Sequence, residues 1–520
     1  MRAWLLLILF LVLPATRAQE VALRQGALRG ERVHSVVRFL GIPYARPPLG
    51  ERRWQAPAPV PAGSGVIDAR GFSAACLQPA SRFVAAPAGF SEDCLTLNVW
   101  TPSLDGELPV MVWLHGGGFR TGSNVFPGEV LAEQGVVVVS PNYRLGPLGF
   151  FFHDALDSRV ANYGLLDMEL ALRWVQDNIA RLGGDRERVT VFGVSAGGQA
   201  VNLLMSSPRT AGLFQRAIAQ SGYGTWALPR TATAPAPAPR AMDGSPARSA
   251  EALAAAVVAR VAAGADSAAA LRALDGQRLV EALDGFQLPI VDGTSLPEEP
   301  GIRFLRGEQR DVPLLTGGNS YEGSVMPAAA IPTREFRGYL GERVAQLRVL
   351  YRDDDGSRWL RRAFGDYRYL LSARVLGDAM ATVSSASWSY YVDFVADADP
   401  GNPGTAHGMD AAYLLRGHAS ENPAVRALTG TLRGYWLNFA RHGDPNGPGL
   451  PRWPARDAEN RHWQRFTEPG GETRERRLAA KLALLEHLYR RRVDGAGALP
   501  GAPARRAGPQ PAPQRVRQSR

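Results

Sequence analysis

Short apolar runs that alternate with amphipathic stretches limit the possible folds of this chain more than any other feature. Residues Leu108–Leu114, 135–141 and 188–193 are rich in valine and contain almost no charged side chains. Between the last two runs, residues 163–179 place apolar side chains at helical spacing, namely Leu166, Leu170, Ala171, Trp174, Val175 and Ile179. Continuous apolar strands separated by amphipathic helices are typical of a sheet that is buried on both faces. The pattern therefore predicts an α/β fold with a mostly parallel central sheet flanked by helices.

The third apolar run leads directly into a candidate nucleophile, Ser195. The segment Gly193-Val194-Ser195-Ala196-Gly197 has the form G-x-S-x-G and lies between a predicted strand and a predicted helix. In such a turn the serine backbone is strained, and side chains at the two glycine positions would clash. The serine also lies at a helix N-terminus, where free N–H groups stabilise negative charge. The motif is weak alone, but in this setting it predicts a catalytic serine.

A glycine-rich segment after the first apolar run supplies a second element of the same chemistry. It reads His115-Gly116-Gly117-Gly118. Acyl transfer to a serine passes through a tetrahedral species whose negative oxygen needs preorganised donors. Glycine lets the backbone approach that oxygen closely. We therefore predict an oxyanion hole formed by the N–H groups of Gly117, Gly118 and Ala196.

A serine nucleophile also needs a base, and the base needs an acid that orients it. In chains with this motif the order is serine, then Asp or Glu, then histidine. Spacing alone leaves both choices open. The candidate bases are His407, His418, His442, His462 and His487, and the candidate acids are Asp292, Asp311 and Glu322.

The formal net charge of +10 does not predict a nucleic-acid partner. The basic residues are almost all arginine and are scattered along the chain, and no aromatic-and-basic motif accompanies them. Five arginines without an acidic neighbour lie near the C-terminus: Arg505, Arg506, Arg515, Arg517 and Arg520.

The N-terminus has the pattern of a secretory signal peptide. Arg2 gives a positive start, residues 3–13 are almost wholly apolar, and Thr16-Arg17-Ala18 places small residues at the −3 and −1 positions. The apolar run is shorter than the roughly 20 residues that span a bilayer, and no later run is long enough. We therefore expect cleavage after Ala18, a secreted or periplasmic protein, and no stable membrane anchor.

Cys76 and Cys94 are the only cysteines of the chain. In an exported protein an isolated pair predicts a disulfide, and closing a loop of this size stabilises the fold by roughly 3 kcal/mol. Two cysteines without a His-x-x-His cluster do not make a zinc site. We expect no metal and no cofactor.

Composition divides the chain into three parts. Residues 1–18 are the predicted signal peptide, residues 19–493 form one predicted domain, and residues 494–520 form a basic tail rich in Pro, Ala and Arg that we expect to be disordered. Within the domain, residues 230–249 are rich in Pro and Ala and show no periodicity, which predicts a surface insertion.

Further motifs occur in a fixed order between about Val21 and Glu468. They are Gly41-Ile42-Pro43-Tyr44-Ala45, Glu92-Asp93-Cys94-Leu95-Thr96-Leu97-Asn98-Val99, Asn142-Tyr143-Arg144, Gly164-Leu165-Leu166-Asp167, Asn178-Ile179 and Gly183-Gly184-Asp185. Together they strongly resemble the motifs of the type-B carboxylesterase and cholinesterase family. The resemblance implies an α/β-hydrolase fold whose insertions form an active-site gorge.

The resemblance also implies a role for individual residues. The acid is the Glu of Tyr321-Glu322-Gly323-Ser324, and the base is the His of Ala406-His407-Gly408-Met409-Asp410. Ser221 and Asp410 are implied to support the triad, and Cys76 and Cys94 to form the first disulfide of the family. Two implied salt bridges join Arg46 to Glu92 and Arg144 to Asp167.

Three departures from the cholinesterases concern the substrate. Val194 stands where those enzymes have a Glu, no Trp lies between Cys76 and Cys94, and Val325 and Met326 stand where they have aromatic residues. A quaternary ammonium group is held by aromatic faces and nearby carboxylates. We therefore expect a neutral, aliphatic pocket that prefers uncharged esters to choline esters. Trp226 either lines the acyl side of this pocket or packs in the core.

The sequence thus predicts a secreted serine hydrolase that cleaves small carboxylic esters through an acyl-enzyme on Ser195. A lipase or thioesterase of the same fold is the nearest alternative. A non-catalytic adhesion or binding relative is another, since a fold does not determine a function. The presence of Ser195, Glu322 and His407 favours an enzyme. The natural ester and the oligomeric state stay open.

Overall fold

The computed structural model describes residues 18–81, 84–395, 403–457, 459–467 and 475–494, apart from the side chains of residues 475–477. Except for Ala18 and Asp494, the predicted signal peptide and the predicted tail lie outside the described residues. Within these ranges, no helix is both long enough and apolar enough to cross a membrane.

The strands and helices alternate along most of the chain. The strands are β1 (Ala18–Leu23), β2 (Gly26–Val33), β3 (Val36–Pro43), β4 (Val66–Asp68), β5 (Ala75–Cys76), β6 (Phe90–Ser91), β7 (Thr96–Thr101), β8 (Leu108–Leu114), β9 (Val137–Pro141), β10 (Gly184–Val194), β11 (Arg216–Gln220), β12 (Leu314–Asn319), β13 (Ser387–Asp393) and β14 (Trp463–Thr467). The α-helices are α1 (Glu129–Ala132), α2 (Gly146–Gly149), α3 (Tyr163–Asn178), α4 (Ala196–Ser206), α5 (Ala250–Val261), α6 (Ala268–Arg272), α7 (Gly276–Glu281), α8 (Pro300–Leu305), α9 (Thr333–Leu340), α10 (Val344–Leu350), α11 (Arg358–Gly365), α12 (Leu371–Ala379), α13 (Met409–Arg416), α14 (Pro423–His442) and α15 (Glu475–Asp494).

One large sheet organises the described residues. Its strand order is β1-β2-β3-β7-β9-β8-β10-β11-β12-β13-β14, with β4 paired to β2. Pairing is antiparallel from β1 to β9 along this order and parallel from β9 to β14. The predicted mostly parallel sheet is confirmed. The three predicted strands correspond to β8, β9 and β10, and the predicted helix corresponds to α3.

Both faces of the central strands are buried, which explains their continuous apolar character. Along β8, Val110, Val112 and Leu114 pack into one core cluster, whereas Met111 and Trp113 pack into a second cluster. Successive side chains of a strand point to opposite faces, so these clusters lie on the two sides of the sheet. The apolar residues at successive positions of β8 therefore serve both cores.

The implied disulfide is present, and one of the two implied salt bridges is present. Cys76 and Cys94 are bonded and close a loop with a sequence separation of 18. The guanidinium of Arg144 holds both carboxylate oxygens of Asp167, with N–O distances of 2.8 and 2.9 Å, and both side chains are buried. This bidentate geometry is the strongest form of such a pair.

The other implied salt bridge, Arg46 with Glu92, is wrong. Glu92 pairs with Arg53, whose Nε donates to the carboxylate at 2.8 Å and whose Nη2 makes a second, shorter contact. A 3₁₀ turn at Gly50–Arg52 comes just before Arg53, whose side chain is 11% exposed. Arg46 is exposed. The motif located the carboxylate correctly, but the loop conformation decides which arginine reaches it.

Candidate active site

Ser195 occupies the turn between β10 and α4 in a strained backbone conformation. Its φ is 60° and its ψ is −119°, and the residue is 8% exposed. A Cβ atom at Gly193 would lie 2.4 Å from the carbonyl oxygen of Leu114, and one at Gly197 would lie 1.9 Å from it. Both glycines are therefore required by the close approach of β8. A non-glycine residue at positive φ is uncommon and often marks a functional position.

The three predicted oxyanion residues lie around this turn. Ala196 is the first residue of α4, where an N–H group has no partner within the helix. Gly117 and Gly118 have φ values of 111° and 65°. Among the described residues, the N–H groups of these two glycines have no hydrogen-bond acceptor. Gly116 places the loop against the nucleophile, because a Cβ there would lie 3.3 Å from Cβ of Ser195.

His115 fixes the start of the glycine loop. Its Nδ1 lies 2.9 Å from the carbonyl oxygen of Gly116, and its ring stacks on Tyr143 with a centroid distance of 4.2 Å. The hydroxyl of Tyr143 donates to the carbonyl oxygen of His115 at 2.6 Å. Burial lowers the pKa of His115 to about 4. At neutral pH this histidine is therefore uncharged and serves as a packing and hydrogen-bonding group.

Glu322 lies just beyond the end of β12 and is almost fully buried. Its Oε1 accepts hydrogen bonds from the Ser221 hydroxyl at 2.6 Å, from the Asn319 backbone N–H at 2.6 Å and from Asn319 Nδ2 at 3.2 Å. Its Oε2 contacts Nδ1 of His407. Three donors on one oxygen hold the carboxylate in a single orientation.

His407 is joined to the same region by two further contacts. Its backbone N–H donates to Ser324 Oγ at 2.9 Å, and its ring lies 4.6 Å from that of Tyr369. Its Nε2 is buried and has no hydrogen-bond partner in the described part of the chain. No hydrogen bond thus joins Ser195 Oγ to His407 in this structure. In unliganded sites such bonds are often long and tighten only when substrate binds.

The other candidate bases and acids lie elsewhere. His418 contacts Arg433, His487 lies 3.5 Å from Arg343, and His442 ends α14. Asp292 accepts hydrogen bonds from Ala161, Asn162 and residues 294–296 in a turn. Asp311 accepts from the backbone of Ser384 and Ser385. Of the candidates weighed above, the structure brings only Glu322 and His407 together.

Asp410 forms a second buried acidic centre behind Glu322. It accepts hydrogen bonds from Gln220 Nε2 at 3.0 Å and Asn319 Nδ2 at 3.1 Å, and the Tyr390 hydroxyl also contacts it. Burial and then the Asp410 charge raise the pKa of Tyr390 well above its ordinary value, so its hydroxyl stays protonated and donates. Asn319 connects both carboxylates, and sequence reasoning missed it. Its one signal was a polar residue at the end of an apolar strand.

Three of the predicted pocket residues do not line the cavity that Trp226 borders. Val194 packs against the core on one face of the sheet, Met326 is buried in the core on the other face, and Val325 packs against it. Period-two alternation along β10 directs Val194 away from α4. These side chains pack in the two cores next to Ser195 and Glu322 in the sequence.

Trp226, the fourth predicted pocket residue, both packs in the core and lines this cavity. It is 5% exposed, and its ring makes edge contacts with Tyr339, Phe364 and Tyr367. The cavity has a volume of about 180 Å³ and is bordered by the predicted insertion, residues 230–249. The insertion is thus more than a surface loop, because Arg240, Met242 and Arg248 form part of the wall.

Phe286 connects the cavity to the glycine loop. A Cβ at Gly118 would lie 2.2 Å from the Phe286 ring, and the Gln287 N–H donates to the Gly118 carbonyl at 2.9 Å. A buried guanidinium, that of Arg368, also lines the cavity. The expected neutral and aliphatic lining fits this cavity only in part. Arg368 gave only a weak signal in the sequence, a single basic residue between two tyrosines.

The sequence of this chain is similar to those of known esterases. The family model described as "Carboxylesterase family" matches residues 17–484. This chain is a member of the carboxylesterase family. It is 34% identical over 478 residues to a fumonisin B1 esterase of Sphingopyxis macrogoltabida, an alignment that covers 83% of each chain. It is 32% identical over 488 residues to the para-nitrobenzyl esterase of Bacillus subtilis (strain 168), which covers 85% of this chain and 94% of that esterase.

Solved structures of carboxylesterases show the same fold. A PNB esterase superposes with a TM-score of 0.74 at 29% identity and covers 88% of this chain and 99% of its own. A carboxylesterase of Geobacillus stearothermophilus superposes with a TM-score of 0.75 at 29% identity and covers 89% and 99%. The fold is therefore the α/β-hydrolase fold, and the chain is a carboxylic ester hydrolase.

Proposed function

We propose that this carboxylesterase cleaves esters through an acyl-enzyme on Ser195, with His407 as general base and Glu322 as the group that orients it. The observation that carries the proposal is the strained Ser195 turn beside the donor-bearing loop of Gly117 and Gly118. The contact between Glu322 and His407 supports it from the adjoining strand end. Positive φ at a non-glycine residue has an energetic cost and often marks a functional position.

The proposed reaction has two halves. His407 Nε2 takes the hydroxyl proton as Ser195 Oγ attacks the ester carbonyl, and the N–H groups of Gly117, Gly118 and Ala196 stabilise the oxyanion. The imidazolium then gives its proton to the leaving alcohol. Water attacks the acyl-enzyme by the same route, releases the acid and restores the serine.

Neutral aliphatic esters are proposed substrates, and choline esters are proposed to be poor ones. The position before the nucleophile carries Val194, so no carboxylate stands there to attract a quaternary ammonium group. The aromatic side chains near the glycine loop already surround the cation of Arg368. A second cation in the same cluster would be repelled.

Export is part of the proposal. Residues 1–18 are proposed to be a cleaved signal peptide, residues 19–493 the catalytic domain and residues 494–520 a basic tail. Mass spectrometry of the exported protein tests this directly. An N-terminus at Gln19 supports the proposal, and an N-terminus at Met1 contradicts it.

The decisive experiment is hydrolysis of p-nitrophenyl esters from acetyl to palmitoyl by the purified protein and by Ser195→Ala. We expect Ser195→Ala to lose at least 1,000-fold in kcat with an unchanged melting temperature. Ser206→Ala is the matched control, since Ser206 is a buried serine of α4 whose hydroxyl donates to the Asn202 carbonyl. Unchanged activity in Ser195→Ala would overturn the assignment.

The same series separates the alternatives. An optimum at short chains identifies a carboxylesterase, and an optimum at palmitoyl identifies a lipase. A parallel series of acyl thioesters tests the thioesterase alternative. No hydrolysis in any series, from folded protein, would indicate a binding protein.

A further inference from the structure

Arg368 differs from the other deeply buried arginines of this chain. Within the described residues five arginines are buried, and four of them, Arg144, Arg230, Arg456 and Arg492, each pair with a carboxylate. Arg368 is 1% exposed, has no carboxylate partner there, and its Nε and Nη2 have no hydrogen-bond partner. A buried charge without a counter-charge costs several kcal/mol. A protein that keeps such a residue is expected to use it.

Aromatic rings compensate only part of this charge. The guanidinium carbon lies 4.2 Å from the ring centre of Tyr223, 4.4 Å from that of Trp226, 5.7 Å from that of Tyr369 and 5.8 Å from that of Phe286. The hydroxyls of Tyr223 and Tyr369 lie near the guanidinium, but neither oxygen has a hydrogen-bond partner in the described part of the chain. Rings stabilise a cation only weakly and leave its N–H groups unsatisfied. The site therefore still lacks an anion.

The position of Arg368 connects it with the proposed catalytic groups. It lies in a π-helical turn, Asp366–Leu370, and lines the cavity of about 180 Å³. Phe286, on one side of it, packs against Gly118 of the glycine loop. Tyr369, on the other side, packs against His407. A π-helical turn is rare and is frequently found at functional sites.

The acidic residues on the cavity wall already have partners. Asp284 pairs with Arg260 at 2.7 Å, Glu335 pairs with Arg248 at 3.3 Å, and Asp243 accepts hydrogen bonds from Ser245. The Asp284 side chain is 79% exposed. None of these carboxylates is among the partners of Arg368, so none of them compensates its charge.

We propose that Arg368 binds a carboxylate carried by the ester substrate, so that esters of dicarboxylic acids and other carboxylate-bearing esters are preferred to their neutral counterparts. This inference rests on the proposed ester hydrolysis at Ser195 and names the substrate class of that site. The carboxylate supplies the missing counter-charge, and the surrounding rings keep water away from the pair. A charged hydrogen bond in such a setting is stronger than one in water.

The test compares esters that differ in one charge. Mono-p-nitrophenyl glutarate is compared with its methyl ester for a carboxylate on the acyl side, and 4-carboxyphenyl butyrate with phenyl butyrate for one on the alcohol side. We expect at least a 10-fold higher kcat/KM for the charged member of one pair. Arg368→Gln should remove that preference, so that the ratio of the two kcat/KM values falls to about 1.

Two further variants separate binding from a structural role. Arg368→Lys keeps the charge and should keep part of the preference. Arg240→Gln is the matched control, because Arg240 lines the same cavity but is exposed and donates to the Gly244 carbonyl. It should leave the preference intact. A merely structural role of Arg368 would lower kcat/KM equally for both members of each pair.

A measurement on the unaltered protein covers the case in which Arg368→Gln does not fold. Glutarate should inhibit hydrolysis of the neutral ester competitively, and glutaramide should not. Absence of both the preference and the inhibition overturns the role of Arg368, whereas hydrolysis of the neutral esters would leave the proposed function standing. Absence of hydrolysis of every ester would instead overturn the proposed function.

Discussion

The hydroxyl of Ser221 donates a hydrogen bond of 2.6 Å to Oε1 of Glu322, the oxygen that does not face His407. Ser221 follows β11 directly and has a φ of 49°. A second serine with a strained backbone thus lies at the end of the strand next to β10, which Ser195 follows. Both partners are buried. The orientation of the proposed triad acid thus depends on a neighbouring strand end as well as on its own loop.

Ser221→Ala should lower kcat by roughly 10-fold and leave KM nearly unchanged. Removing a buried hydrogen bond to a charged group costs roughly 1.5–3 kcal/mol, and here part of that cost falls on the orientation of Glu322. Steady-state kinetics with p-nitrophenyl butyrate measure the effect. Ser206→Ala, which removes a buried serine hydroxyl within α4, should leave kcat at the wild-type level. A wild-type kcat in Ser221→Ala would show that Asn319 alone orients the carboxylate.

Asn319→Ala should lower kcat by roughly 10-fold and leave KM nearly unchanged. Asn319 Nδ2 lies 3.2 Å from Glu322 and 3.1 Å from Asp410, so the substitution removes a donor that the two buried carboxylates share. Loss of a buried hydrogen bond to a charged group costs roughly 1.5–3 kcal/mol, and part of that cost falls on the orientation of Glu322. Steady-state kinetics with p-nitrophenyl butyrate measure the effect, and a wild-type kcat in Asn319→Ala would contradict the prediction.

Local motifs were predictable because their residues are neighbours in the chain. The bounds of β8 agree with the first predicted apolar run, and the steric need for Gly193 and Gly197 follows from the turn itself. The triad acid and base could not be chosen from spacing, because many polar residues lie in the right order. Glu322 and His407 were chosen from the other candidate acids and bases only through the resemblance of several ordered motifs to a known family.

Contacts between distant segments were not predictable in the same way. Arg53, which follows a short 3₁₀ turn, pairs with Glu92, whereas Arg46 does not. Asn319 meets Asp410 across 91 positions, and Arg368 meets Phe286 across the cavity. Such pairs are decided by how strands and helices pack, and composition and periodicity carry no information about them.

The stability of the protein should fall as the pH drops from about 6.5 to about 4, in part through His115. Burial lowers the pKa of His115 to about 4 in the folded protein, whereas in the unfolded chain the ordinary value is about 6.5. On acidification the unfolded chain therefore binds this proton before the folded protein does. The free energy of unfolding is highest above pH 6.5 and falls as the pH drops to 4. The difference corresponds to roughly 3 kcal/mol.

Denaturant unfolding of wild type and His115→Asn at pH 7 and pH 4.5 measures this contribution. Asn keeps a side-chain amide near the position of Nδ1 and does not titrate, so the variant should lose less free energy of unfolding on acidification. His34→Asn, at an exposed histidine, is the control and should behave like wild type. Equal losses in all three proteins would contradict the assignment to His115.

Gly197→Ala should abolish activity, whereas Gly430→Ala should stabilise the protein. At position 197 the new Cβ would lie 1.9 Å from the Leu114 carbonyl oxygen and 3.0 Å from that of His115, both of them backbone atoms. The turn can accept it only by moving Ser195 or the glycine loop, so we expect a loss of at least 1,000-fold in kcat and a lower melting temperature. Gly430 lies exposed within α14 with no atom near the added Cβ, and Ala there should contribute about 1 kcal/mol. Melting temperature and kcat for both variants decide the matter: a Gly197→Ala protein with wild-type values of both would mean that β8 does not constrain the nucleophile turn.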